Sequence, residues 1–164
     1  MLEQLFANYP VDVEKMMHNL RKTAADLGLP LGERKKTYNS RLSQELGLWA
    51  ESKNKGDAFH TAAFKAYFVD GKNIGKIPVL VDLAASVELP REEAATVLAT
   101  RAFKAAVDVD WSLSREKGIT AVPTFVMNHD KLVGAQPYEM LERLMEANGV
   151  KRRPETKKAS NLLT

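Results

Sequence analysis

Apolar residues recur along this chain at helical spacing for most of its length and at strand spacing only once, late. Val13, Met16, Met17, Leu20, Ala24 and Leu27 share one helical face until Gly28 and Pro30 stop the pattern. That spacing predicts a helix over 11–27 with Asp12 as its N-cap. Residues 29–38, with Pro30, Gly32 and several basic side chains, read as an irregular connection. A second helix follows, capped by Asn39 or Ser40, with Leu42, Leu46, Trp49 and Ala50 inward and Lys53-Asn54-Lys55-Gly56 as its stop. Asp57 is placed to cap a third helix, whose Phe59, Phe64, Tyr67 and Phe68 occupy more than one face and predict burial on two sides.

Pro78 suits the first turn of a fourth helix opening at Ile77, with Leu80, Leu83, Ala84 and Val87 as its apolar stripe. Leu89-Pro90 opens a fifth, carrying Val97 and Leu98. Phe103, Val107 and Trp111, spaced by four, mark a sixth that Gly118 ends. Only then does a strand signal appear, over 124–127, with Asn128-His129-Asp130 as a turn and a return strand over 131–134. Pro137 begins a last helix, with Leu141, Leu144 and Met145 inward and Asn148-Gly149 as its stop. No internal repeat or linker interrupts the series, so one domain is expected over 1–150. It divides into a helical block over 11–117 and a loop, hairpin and helix over 118–149.

Composition narrows this picture. With 164 residues the chain suits a single domain that needs neither metal nor disulfide to fold. It is 45% hydrophobic and 27% charged, and no apolar run approaches the ~20 residues of a membrane span. Met1 to Phe6 has no basic region followed by an apolar core, which predicts a cytoplasmic location and no membrane contact. Much of the net charge of +3 lies in the tail over 151–164, where no aromatic residues interleave. The tail is therefore expected to be solvated and disordered, and nucleic acid is not expected as a partner.

The side chains available for chemistry are few. There is no cysteine. His60 lies beside Phe59 and Phe64 on a crowded helix and reads as a packing residue; His18 and His129 read as solvated. Ser40 reads as a cap and Ser43 as a helix surface residue, since no Gly-x-Ser-x-Gly elbow or paired base accompanies them. The stretch Gly71 to Gly75 lacks the Lys-Ser/Thr ending of a phosphate loop. Trp49, Trp111 and Tyr67 read as core. No catalytic residue, metal site or cofactor is expected.

One segment stands apart: Gly118-Ile119-Thr120-Ala121-Val122-Pro123-Thr124-Phe125-Val126, followed by a hairpin, Gly134-Ala135-Gln136-Pro137-Tyr138 and a helix. Together with Thr37-Tyr38-Asn39-Ser40-Arg41-Leu42, Asp57-Ala58-Phe59-His60 and Ala66-Tyr67-Phe68, it resembles the DsbA family of thioredoxin-like proteins, in particular the FrnE-like branch. The resemblance implies an α/β thioredoxin-like fold of DsbA type, with a helix-rich insertion ahead of a C-terminal β-hairpin and helix. It implies a truncated sheet, because the family's first strand-helix-strand unit, which carries Cys-x-x-Cys, has no counterpart in these residues.

By the same resemblance the Val122-Pro123 bond is cis. Val122, Pro123 and Thr124 then form the substrate-binding loop, offering backbone to an extended peptide or a glutathione-like ligand. The family consists of protein disulfide oxidoreductases and isomerases. Thiol exchange needs a thiolate, so this chain alone is expected to be redox-inactive. Two other readings stand beside this one. The first is a glutathione-dependent protein like the kappa-class transferases or 2-hydroxychromene-2-carboxylate isomerases, where a hydroxyl can replace the cysteine. The second is a non-enzymatic interaction module. A hairpin with two open edges also predicts association, as a homodimer through the exposed sheet, unless residues 2–9 fold over it.

Overall fold

Capping side chains and left-handed residues set the ends of the helices in the computed structural model. It describes residues 12–33 and 36–153. The expected covering of the sheet by 2–9 lies outside the described residues, as does the tail from residue 154 onward. The chain divides into two compact units, Met1–Trp111 and Ser112–Thr164.

In the first unit, α1 (Val13–Asp26) begins where the Asp12 carboxylate accepts the Lys15 N–H at 2.9 Å. It buries only Met17, and Leu20 and Leu27, expected on its inner face, are exposed. Asn39 rather than Ser40 supplies the side-chain bond ahead of α2 (Arg41–Ser52), accepting the Arg41 N–H at 2.8 Å. The left-handed residue after α2 is Asn54, at φ 58°. Gly56 instead opens α3 (Gly56–Phe64), so Asp57 lies inside the first turn and does not cap it.

Past Phe64 the helix widens into a π turn over Lys65–Val69, where the Asp70 N–H reaches back five residues to the Lys65 carbonyl. Phe59, Ala63 and Ala66 go inward, whereas Phe64 is 64% exposed, which corrects the expectation of burial on two sides. Gly32 lies against this turn: its N–H donates to the Phe68 carbonyl at 2.9 Å, and a Cβ there would overlap the Val69 carbonyl oxygen.

Helices α4 (Ile77–Ser86) and α5 (Arg91–Thr100) complete the core. Leu46, Trp49, Phe59, Leu80, Leu83, Leu89 and Leu98 meet there, the inward stripes read from sequence. Pro90 is the residue before α5 and leaves the fixed φ of a proline at the helix start. In α6 (Lys104–Glu116) Val107 is buried. Trp111, expected in the core, is 43% exposed, because its indole Nε1 donates to Gln44 Oε1 at 2.8 Å and the Arg41 guanidinium stacks over the ring at 4.8 Å. Both polar partners hold the ring at the surface.

A charged cluster ties α2 to α5 and α6. Glu45 accepts bonds from Arg41 and Arg101, and Arg41 also reaches Asp108 at 2.6 Å and the Lys104 carbonyl at 2.8 Å. Ser43, read as a surface residue, is buried on the inner side of α2.

The second unit begins within α6. Its described residues form an antiparallel hairpin, β1 (Thr124–Met127) and β2 (Asp130–Val133), then α7 (Tyr138–Ala147). The turn is two residues, with Asn128 at φ 52° and Asp130 already paired with Met127, one residue tighter than expected. No described residue of this unit is buried. Leu141 and Leu144 are only partly covered and Met145 is exposed, which corrects the inward face expected for the last helix. Two short strands and one helix bury too little surface among themselves to enclose a side chain.

Candidate functional site

The stretch from Gly118 to Thr124 is fastened at both ends. Gly118, at φ 62°, ends α6 by donating its N–H to the Arg115 carbonyl, while Ile119 N–H returns to Ser114. A left-handed turn there is strained for any residue with a Cβ, which is why glycine occupies it. The Lys131 ammonium donates to the Lys117 carbonyl and so links β2 to the same helix end.

At the other end, the Thr124 hydroxyl donates to the Ala121 carbonyl at 2.6 Å, and the Pro123 carbonyl accepts the Gly134 N–H at 2.8 Å. The Gln136 amide holds the Val133 carbonyl at 2.8 Å, steadying the residues after β2. The Val122-Pro123 peptide bond is cis.

Val122 lies between these anchors. It is 88% exposed, and among the described residues neither its N–H nor its carbonyl has a hydrogen-bonding partner. One residue thus presents a donor and an acceptor from a loop whose neighbours are tied down. That is the pair a strand-like ligand uses when it adds to an edge. Thr124 opens β1 opposite Val133 and is half-buried; Pro123 is exposed.

Asn148 was not singled out by its spacing beyond its place as a stop. Its amide donates to the Asp130 carboxylate at 2.9 Å and to the Leu144 carbonyl at 2.9 Å, while its carbonyl oxygen accepts from Asn128 at 2.8 Å. This fastens the hairpin turn to the end of α7. The Asn-Gly stop is the signal that marks the position, but a bond across 18 and 20 residues has no local signature.

Elsewhere, His18 and His129 are exposed. His60 is not packed away as expected: its ring is half-exposed, 3.8 Å from the Glu51 carboxylate. It lies one turn after the start of α3 with its Nε2 against Gly47 of α2, where an added Cβ would sit 2.8 Å away, whereas Phe59 is fully buried. Among the described residues no group of three or more His, Asp or Glu side chains could hold a metal. No helix among them is long and apolar enough to cross a membrane.

The family model of the DSBA-like thioredoxin domain matches residues 3–146. The chain belongs to that family. A crystal structure of a probable DsbA oxidoreductase from Streptomyces coelicolor superposes with a TM-score of 0.78 at 28% identity, over 96% of this chain and 71% of that one. A candidate protein disulfide isomerase from Nitrosomonas europaea superposes at 0.60 with 15% identity, over 89% of this chain and 85% of that one, a likeness of fold alone. The uncharacterized protein YwbO of Bacillus subtilis is 33% identical over 99 residues, 58% of this chain. The match spans about half of YwbO, 48% of its length. Within this family of thioredoxin-like domains, the 164 residues contain no cysteine, so the thiolate of disulfide exchange is not among their side chains.

Proposed function

We propose that the chain is a thiol-free, FrnE-like DsbA domain that works as a docking surface: an extended peptide segment, the glutathione backbone included, binds along Val122, Pro123 and Thr124. The observation that carries this reading is the exposed Val122, with both backbone groups unengaged among the described residues and its flanks anchored by the Thr124 and Pro123 bonds. Main-chain pairing would give affinity with little dependence on ligand side chains. Such a surface holds a polypeptide without forming a covalent bond to it.

Isothermal titration with a short unstructured peptide tests this reading. The peptide binds, and methylating the backbone nitrogen that faces the Val122 carbonyl weakens binding roughly fivefold to tenfold, the worth of one neutral hydrogen bond. Affinity unchanged by methylation at every position overturns it.

A second copy of the chain is the partner that the hairpin supports. The register places Phe125 and Leu132 on one face and Val126 and Val133 on the other. Phe125, Val126 and Val133 are all exposed, so both faces carry uncovered apolar surface. Pairing two such units covers it and leaves the Val122 loop at the rim.

A further inference from the structure

The first unit contains a cavity of about 430 Å³, within the size range of small-molecule sites. Its apolar wall comes from the π turn. The Phe68 ring centroid lies 6.1 Å from that of Phe64 and 4.8 Å from that of Tyr67, the latter pair edge to face at 81°. Widened turns of this kind occur frequently at functional sites. Phe64, although large and apolar, is left mostly open to solvent at the cavity.

The polar wall is oriented in advance. Ser40 Oγ accepts from the Gln44 amide at 3.1 Å, and Gln44 Oε1 in turn accepts from the Trp111 indole at 2.8 Å. The indole can only donate, so it determines which end of the Gln44 side chain is oxygen and which is nitrogen. Because Ser40 Oγ accepts from Gln44, its own proton remains to be donated elsewhere. His60 contributes a second polar edge, and the described residues of the lining include no Lys, Arg, Asp or Glu. No described residue of the lining offers the counter-charge that a phosphate or an ammonium ligand needs.

We propose that this cavity binds a small, uncharged aromatic compound bearing an acceptor oxygen, its ring against Phe64 and Phe68 and its oxygen on the Ser40 hydroxyl. Aromatic rings set edge to face favour a further ring over a saturated one. The donor selects an oxygen, and the uncharged side chains of the described lining disfavour ions.

Acetophenone, with benzoate and cyclohexyl methyl ketone as comparisons, tests the proposal in a two-dimensional amide NMR titration of the full chain. Acetophenone shifts the Ser40, Gln44 and Phe64 amides saturably, with a dissociation constant on the order of 1 mM for so small a ligand. The saturated ketone and benzoate bind at least several-fold more weakly. Ser40→Ala weakens acetophenone roughly fivefold, one neutral hydrogen bond. Phe64→Ala, at an exposed ring whose loss leaves the fold intact, weakens it as well. The proposal is overturned by the absence of saturable shifts, by equal binding of the three probes, by indifference to both substitutions, or by shifts centred on Val122. These resonances belong to the first unit, so the result is independent of peptide docking.

Discussion

Arg101 holds Glu45 through two hydrogen bonds, Nε to Oε2 at 2.7 Å and Nη2 to Oε1 at 2.6 Å, from a left-handed backbone position at φ 55°. Glu45 is only 1% exposed and takes a third bond from Arg41 at 2.8 Å. The Arg101 bonds, opposed by burial and joined by those of Arg41, hold its carboxyl below the ordinary carboxylate range. A carboxylate whose folded pKa is depressed adds stability above its unfolded pKa. That stability is lost as pH falls through the folded value. The urea midpoint should therefore fall with pH below about 4.3, the ordinary glutamate value, and Glu45→Gln should flatten the fall while lowering the midpoint at pH 7. An unaltered acid slope in Glu45→Gln would remove this cluster from the account of stability.

Phe59 is fully buried among Leu46, Leu80 and Leu98. Phe59→Ala should cost about 3–5 kcal/mol by denaturant unfolding, the transfer loss plus a cavity. Gly32→Ala should cost about 1–3 kcal/mol, because the new methyl meets the Val69 carbonyl and the backbone must give. A Gly32→Ala midpoint equal to that of the parent chain would show that the loop yields freely there.

Where one residue and its neighbours in sequence decide the outcome, the pattern was legible. The Leu80, Leu83 and Ala84 stripe, the Asp12 cap, the Gly118 stop and the two strands follow from spacing and turn chemistry alone. What failed depended on distant partners. Trp111 has the apolar spacing of a core residue, but Gln44 and Arg41, roughly 70 positions earlier, draw it to the surface. Phe64 falls five residues after Phe59 and so on another face of α3, and spacing alone does not show whether a second layer covers that face. The amphipathic last helix looks as though it has a core to bury against, yet no described residue of its unit is buried. At the site, Val122, Pro123 and Thr124 were picked out by their motif. The bond from Gly134 that braces Pro123, and the one from Asn148 to Asp130 that fastens the hairpin turn, join positions with no local signal.

In an insulin reduction assay the purified chain should give the rate of the protein-free control, with or without glutathione, since no side chain can form the mixed disulfide. Turnover proportional to protein concentration would require a different chemistry.

Light scattering during size exclusion should give twice the mass of one chain at micromolar concentration. Val126→Lys, which places a charge on a sheet face already bearing Lys131, should shift the equilibrium at least tenfold toward monomer. A monodisperse monomer of the parent chain would remove the hairpin as a pairing surface.

Peptide docking on the backbone of Val122 is tested most directly by amide NMR of the isotope-labelled chain during titration with an extended peptide. The Val122 and Thr124 amides should shift together and saturably, and hydrogen exchange at Val122 should slow as its N–H gains a partner. Saturable binding that leaves both amides unmoved, with Val122 exchanging as fast as in the free chain, would contradict the account.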